Sequence, residues 1–154
     1  MAYYTAAVAR AGSRWKALDV DVDSAADVEE LGTLLTEAAG AARPVLLLVE
    51  REDEWWAVVR VDDEEEARIF VSDLDSAARS RYGELLGVTV AEPVDADEVG
   101  GDTQPGGDPD LLDDLGSPAS ALLEYCGEDP LPPLEAVSAI AGAAGFADLL
   151  EGMR

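Results

Sequence analysis

Apolar and polar residues alternate near the start of the chain with the period of two that is typical of a half-buried strand. Leu18, Val20 and Val22 are the apolar members, and an aspartate follows each of them. Together with the residues before it, this pattern predicts two strands, over residues 3–9 and 15–22, connected by a short turn that contains a glycine.

Helical spacing follows these strands. Apolar residues recur every three or four positions, which predicts a helix over residues 24–39. Ser24 is the expected N-cap, and Asp27 would place a carboxylate at the positive end of the helix dipole. Gly40 is the expected end of the helix, because glycine commonly terminates helices.

Three apolar runs separated by short polar turns come next. They predict strands over residues 45–49, 55–61 and 68–71, and such short connections favour an antiparallel meander over helix-crossover units. A second helix is expected over residues 75–86, with Tyr82 on its apolar side. We therefore expect a mainly antiparallel sheet of about four or five strands packed by two helices.

The composition changes in the C-terminal part of the chain. Residues 91–109 are rich in Gly, Pro and Asp, which indicates an acidic flexible linker. Short helical patterns follow over 110–154, a module of roughly 45 residues that is too small to be stable alone and is expected to pack on the core. Ser117 is the expected N-cap of one of these helices, with Pro118 at its first position. The predicted organisation is an α+β core domain over 1–90, the linker and the C-terminal helical module.

Acidic residues outnumber basic ones by 34 to 10, which gives a formal net charge of −24. Residues 91–154 hold 15 acids and a single base, so the C-terminal part is the more negative. Because nucleic-acid affinity comes largely from Lys and Arg that neutralise phosphates, direct binding to nucleic acid or to an anionic membrane is not expected. The codon bias of a GC-rich genome or adaptation to high salt would also produce this composition, so acidity alone does not establish a functional surface.

The chain contains no histidine and a single cysteine, Cys126. Ser–His and Cys–His catalytic arrangements, His- or Cys-based zinc sites and iron–sulfur clusters are thereby excluded. No glycine-rich nucleotide-binding motif or hydrolase motif is present. We therefore expect a protein that is not an enzyme and has no cofactor, and a carboxylate- or metal-dependent enzyme is the alternative. The lone cysteine, the N-terminus without a signal-peptide pattern and the short apolar runs predict a cytoplasmic protein.

The most specific metal candidate is a calcium-binding loop. Five acidic residues fall at positions 1, 3, 5, 9 and 12 of an EF-hand register: Asp19, Asp21, Asp23, Asp27 and Glu30. Ser24 occupies position 6, where the loop requires glycine, and the preceding segment has a strand pattern and not a helical one. A strand followed by a capped helix therefore explains the segment better. The acidic run over residues 62–66 is likewise predicted to be a solvated turn.

Two adjacent tryptophans begin one of the predicted strands. Because neighbouring strand residues face opposite sides of a sheet, one of Trp55 and Trp56 is expected in the core. The other must be covered by a helix, by the C-terminal module or by a partner. Arg79 is one of few basic residues, and it would either contact a partner or pair with the surrounding acids. We predict a protein interface at Trp55, Trp56, Arg79 and Tyr82, since aromatic and arginine residues dominate interface energies.

Several segments, taken in order, carry a family resemblance. They are residues 55–61, 68–73, 78–86, 112–116 and 134–146. Residues 3–7 and the segment around Trp15 fit the same pattern, so the similarity spans nearly the whole chain. In these segments the chain resembles the actinobacterial family of tRNA adenosine deaminase-associated proteins. The resemblance implies no assigned reaction and no functional residue.

The resemblance implies a link to a tRNA adenosine deaminase, which is a zinc enzyme with a His/Cys/Cys ligand set and a glutamate acid–base. A chain without histidine is not expected to be the deaminase itself. We expect an accessory or regulatory protein that acts through a protein partner, with the deaminase as the first candidate. An acidic polyanion mimic that binds basic RNA-binding proteins in general is the alternative. The oligomeric state does not follow from the sequence.

Overall fold

An antiparallel sheet with helices on both faces organises the described part of the chain, which is of the predicted α+β class. This computed structural model describes residues 3–51, 54–62, 67–80, 82–85, 104–127 and 130–153. Its six strands lie in the order β2-β1-β3-β4-β5-β6, and every neighbouring pair is antiparallel. The strands are β1 Tyr3–Ala11, β2 Arg14–Leu18, β3 Val45–Arg51, β4 Trp55–Val61, β5 Arg68–Val71 and β6 Gly106–Gly107.

The helices flank this sheet in sequence as well as in space. They are α1 Val28–Ala39, α2 Leu74–Ala78, α3 Tyr82–Leu85, α4 Ala119–Tyr125, α5 Pro133–Ala144 and α6 Ala147–Met153. Short 3₁₀ turns occur at Val22–Ser24 and Asp113–Leu115. Within the described ranges, none of the helices combines the length and apolarity that a membrane crossing requires.

Each face of the sheet is buried by a different part of the chain. Leu46, Leu48 and Val58 pack under the C-terminal helices, on the side that we call the tail face. Leu47 and Val59 project to the opposite side and pack with α1, on the α1 face. Because both faces are covered, β4 is buried along its whole length and β3 along nearly all of it, which explains their continuous apolar runs.

The start of α1 differs from the prediction. The helix begins at Val28 with Asp27 as its N-cap, and not at Ser24. The Asp27 carboxylate accepts the Glu30 N–H at 2.9 Å, and the Glu30 carboxylate accepts the Ala26 N–H at 2.8 Å. This reciprocal arrangement is close to a capping box, and it satisfies two backbone donors at the start of the helix.

The predicted strand over residues 15–22 is too long, since β2 ends at Leu18. Alternation continues beyond it, but Val22 is buried by the 3₁₀ turn that it begins and not by a strand. The Ser24 hydroxyl donates to the Asp21 carbonyl at 2.8 Å within that turn. The alternating pattern therefore extends beyond the strand because the turn directs the Val22 side chain into the core.

The second predicted helix, over residues 75–86, is broken. α2 ends at Ala78 and α3 begins at Tyr82. Between them, the Ser80 hydroxyl donates to the Ala77 carbonyl at 2.7 Å and accepts the Tyr82 N–H at 3.1 Å. Such side-chain bonds to the backbone compete with helical hydrogen bonds and favour a turn. The last residue of the predicted helix lies outside the described residues.

Two residues of the predicted linker over residues 91–109 form a strand. Gly106–Gly107 form β6 and pair with the last two residues of β5. Gly107 has a φ of 98°, and a Cβ on it would overlap the Ile69 carbonyl. These glycines therefore permit a close approach between backbones, which is a different use from chain flexibility. Residues 91–103 lie outside the described residues.

The C-terminal module packs on the tail face of the sheet. Leu111, Val137 and Ile140 are fully buried in the cluster that this face forms. At the β2 edge of the sheet, the Trp15 indole N–H donates to the Ala144 carbonyl at 3.0 Å, and the Trp15 ring lies 5.0 Å from that of Phe146. The module is thus anchored to the sheet by apolar burial and by a directed hydrogen bond.

Arg60 connects β4 to this module from within the apolar tail face. Its side chain is 6% exposed. The guanidinium donates to the Leu111 carbonyl at 2.6 Å, to the Asp114 carboxylate at 2.5 and 3.0 Å, and to the Asp62 carboxylate at 3.1 Å. The hydrogen bond to Asp114 is the largest influence on the pKa of Arg60 and raises it above its usual range in spite of burial. The same bond lowers the pKa of Asp114.

Replacing Arg60 by methionine is expected to lower the free energy of unfolding by about 2 kcal/mol, because the Leu111 carbonyl loses its buried donor. Arg79→Met is the matched control. The Arg79 side chain is 73% exposed and pairs with Asp75 one helical turn away, so we expect a loss below about 0.5 kcal/mol. Urea unfolding followed by tryptophan fluorescence measures both values. Equal losses in the two variants would contradict the structural role of Arg60.

The start of α4 also differs from the prediction. Pro118 is the N-cap, and not Ser117 as predicted. The Ser117 hydroxyl is buried and has no hydrogen-bond partner among the described residues. Ser117→Ala should therefore leave the stability unchanged or raise it by up to about 1 kcal/mol. Asp27→Ala, which removes an observed N-cap, should cost about 1 kcal/mol. A comparable loss of melting temperature in both variants would restore Ser117 as a cap.

Candidate partner-binding groove

A groove with a volume of about 340 Å³ opens at one end of the sheet, between the strands and the C-terminal module. The sheet side consists of residues 54–56, where β4 begins, and residues 72–73, which follow β5. The module side consists of residues 125–126 at the end of α4 and residues 130–133, which we call the proline segment. The groove therefore exists only where the module is docked on the sheet.

Hydrogen bonds fix both walls of the groove. The Ser72 N–H donates to the Trp56 carbonyl at 2.9 Å, and the Trp56 N–H donates to the Ser72 hydroxyl at 2.8 Å, so the β4–β5 pairing extends to the groove. The Leu131 N–H donates to the Tyr125 carbonyl at 3.0 Å and holds the proline segment against the end of α4. Pro133 begins α5, a position where its missing N–H removes no helical hydrogen bond.

The formal charges of the described groove lining are all negative. They belong to Glu54 and Asp73. Glu54 forms an ion pair with Arg51 and its side chain is half exposed. Asp73 accepts a hydrogen bond from the Ser76 hydroxyl at 2.8 Å, and the described basic residues form no ion pair with it. Asp73 therefore contributes a negative charge that no described basic residue pairs with, and the rest of the lining is largely aromatic and apolar.

The Cys126 thiol belongs to the lining, and its residue is only 2% exposed. Burial, and then the charge of Asp73, raises the pKa of the Cys126 thiol to about 12. Since the thiolate is the nucleophilic form of cysteine, this thiol is not prepared for nucleophilic chemistry near neutral pH.

The acidic segment before α1 does not form a metal site among the residues that the structure describes. In that part of the chain, no group of three or more Asp, Glu or Cys side chains is placed to hold a metal ion. Asp27 and Glu30, two members of the EF-hand register, instead accept hydrogen bonds from backbone N–H groups around the start of α1. The Asp23 side chain and residues 63–66 lie outside the described set.

The structure separates the four residues predicted to form an interface. Trp55 and Trp56 are both buried and both belong to the groove lining. Trp56 faces the tail, while the Trp55 ring makes an edge contact with Tyr82 on the α1 face at 6.3 Å. The C-terminal module covers Trp56, which is one of the three possibilities expected from the sequence. Tyr82 is buried away from the groove, and Arg79 is exposed and paired with Asp75. The interface role stays a prediction, and of the four side chains only that of Arg79 is largely exposed.

The C-terminal wall of the groove gives only a weak signal in the sequence. Pro132 and Pro133 lie at the start of α5, where proline is common. They do not indicate which face of the sheet the helix meets. Tyr125 and Cys126 end a short helix whose partner surface comes from residues about fifty positions earlier, such as Ser72. Three prolines among four residues close to an aromatic side chain are the one local signal of a recognition surface.

Cys126 should react with thiol reagents only after unfolding. Because its folded pKa of about 12 exceeds the ordinary value of 9.0, the thiol contributes stability that is fully present below pH 9 and is lost as the pH rises toward 12. Cys126→Ala should remove this part of the alkaline destabilisation. Labelling at pH 8 with and without urea, and melting temperatures between pH 8 and 11, measure the two effects. Complete labelling of the native protein within minutes would contradict the buried position.

The comparisons with known proteins give one positive result. No curated protein and no solved structure matches the chain. A family model described as "Rv3753c-like tRNA adenosine deaminase-associated protein" matches residues 3–147, a range that contains all six strands and the complete groove lining. The match confirms the resemblance seen in the sequence. The chain therefore belongs to the Rv3753c-like tRNA adenosine deaminase-associated protein family.

Proposed function

We propose that this chain is a non-catalytic accessory or regulatory protein that binds a tRNA adenosine deaminase. The observation that carries the proposal is the family match over residues 3–147, since the family is named for an association and not for a reaction. In this proposal the chain acts together with a tRNA-modifying enzyme, and we therefore expect it in the cytoplasm.

The chemistry of the side chains supports a binding role over a catalytic one. A zinc deaminase holds its metal with a His/Cys/Cys set and moves protons with a glutamate. This chain has no histidine, and the pKa of its one cysteine is raised to about 12 by burial. What it presents in the described groove is a concave surface with carboxylates, aromatic rings and prolines.

Charge supports a partner that binds tRNA. A protein that recognises tRNA presents Lys and Arg to the phosphates, and such a surface attracts a protein with a formal net charge of −24. Inside this chain, Arg60, Arg68 and Arg79 are each paired with an aspartate, so these cations are already neutralised locally. Exposed acids such as Glu29, Glu37 and Glu135 are available to a cationic partner, and direct binding of the chain to RNA is opposed by the same charge.

Affinity purification from native lysate tests the proposal. A tagged chain should recover the deaminase at ~0.1 M salt, where the Debye length is about 10 Å, and lose most of it at ~1 M salt, where that length is about 3 Å. A tagged unrelated protein of similar size and net charge is the control. Mass spectrometry identifies the recovered proteins.

Two results would overturn the proposal. One is the absence of the deaminase from the low-salt eluate when both proteins are expressed. The other is recovery of many basic RNA-binding proteins in amounts that the charge-matched control reproduces, which would indicate general polyanion behaviour. Enrichment of the deaminase over the control is the expected outcome.

A further inference from the structure

We infer that the groove receives an extended segment of the protein partner in which an apolar side chain lies next to a lysine or arginine. The identity of the partner rests on the proposed function above. The chemistry of the occupant rests on the lining of the groove alone.

The size of the groove selects a short segment. Its volume of about 340 Å³ lies near the lower end of the ~300–1,000 Å³ range of small-molecule pockets. An α-helix with its side chains is about 10–12 Å across and would not enter such a space. An extended chain can insert one side chain while its neighbours remain at the rim.

The apolar part of the lining selects an apolar anchor. Trp56, Tyr125 and Leu131 supply large side chains, and three prolines supply rigid rings. Aromatic and proline-containing grooves are a recurring means of binding extended peptides, because they bury apolar surface with little loss of side-chain freedom. A wholly polar segment would leave this lining without a matching surface.

The walls of the groove offer hydrogen-bond acceptors and few free donors, so the occupant is expected to supply the donors. The proline segment has one backbone N–H, that of Leu131, and it already donates to the Tyr125 carbonyl. The N–H groups of Trp56 and Ser72 are also used within the chain. Carboxylate oxygens are the charged acceptors in the lining, and Asp73 has no described cationic partner. An occupant with an ammonium or guanidinium group satisfies this excess of acceptors.

The same charges exclude the other occupants of comparable size. A phosphate-bearing ligand would meet two carboxylates and no cation in the described lining. A second copy of this chain would bring a further net charge of −24 to the same place. Charge complementarity therefore favours a cationic segment of a different protein.

Blocked pentapeptides test the chemistry of the occupant on the purified chain. The probes have the central sequences Arg-Leu-Arg, Glu-Leu-Glu and Arg-Ser-Arg. Trp55 and Trp56 lie in the lining, so tryptophan fluorescence reports binding. We expect the Arg-Leu-Arg peptide to give a saturable change, and each of the other two to bind at least about tenfold more weakly. No saturable change with any peptide, or equal binding of the glutamate peptide, would overturn the inference.

Paired variants locate the binding. Asp73→Asn removes one of the two carboxylates of the groove and keeps the side-chain shape, and Asp75→Asn makes the same change of net charge two residues away on the exposed side of α2. Leu131→Ser shortens an apolar groove residue, and Leu134→Ser changes an exposed leucine outside the lining. We expect Asp73→Asn to weaken Arg-Leu-Arg binding about fivefold and Leu131→Ser about tenfold, with less than twofold effects in the controls. Circular dichroism establishes that each variant is folded.

The same four variants separate this inference from the proposed function. If the deaminase binds the wild-type chain, and the two groove variants bind it as well as their controls do, the groove inference is wrong and the proposed function stands. If the deaminase does not bind but the peptide results hold, the proposed function is wrong and the groove serves another cationic partner. Equal weakening by Asp73→Asn and Asp75→Asn would assign the effect to net charge and overturn the inference.

Discussion

The buried guanidinium of Arg60 couples the two parts of this chain. It lies on an apolar face of the sheet, where transferring a cation out of water costs several kcal/mol unless its N–H groups are satisfied. Asp62 comes from the same strand end, but the Leu111 carbonyl and Asp114 belong to the C-terminal module. The arginine is therefore fully satisfied only when the module is docked. A segment too short to be stable alone is in this way made part of one cooperative unit with the sheet.

The groove is a consequence of this coupling. One of its walls is the β4–β5 end of the sheet, and the other is the end of α4 with the proline segment. More than fifty residues separate Ser72 on one wall from Tyr125 on the other, so the chain itself does not hold the walls together. The apolar contacts of the tail face and the hydrogen bonds of Arg60 both hold the module against the sheet. Any change that loosens the module would widen the groove and expose Trp56 and Phe70 together. The structural role of the tail face and its proposed binding role are thus inseparable.

Local patterns predicted most of the fold, and interactions between distant segments account for what they missed. The strands over 45–61 and 68–71 follow from apolar runs and short turns, and their order in the sheet follows the antiparallel meander. The true cap of α1 was missed because Ser24 and Asp27 are both good N-caps, and the choice depends on Glu30. In the sequence, Gly106 and Gly107 have the composition of a linker. Only the structure shows that the neighbouring strand β5 lies too close to leave room for a Cβ at Gly107. The groove could be predicted only in part, since its tryptophans are conspicuous and its C-terminal wall is not.

Position, and not number, distinguishes the acids that serve the fold from those open to a partner. Genome composition explains why a chain carries 34 acidic residues, but it does not place Asp114 against a buried arginine or Asp27 at a helix start. Those residues are occupied within the chain, and their loss would be felt as a loss of stability. Asp73 also accepts hydrogen bonds within the chain, from the Ser76 hydroxyl and the Gln104 N–H, but it borders a concave apolar surface and has no described cation beside it. A carboxylate in that position adds a defined charge to the groove, which a binding site for a cationic segment requires.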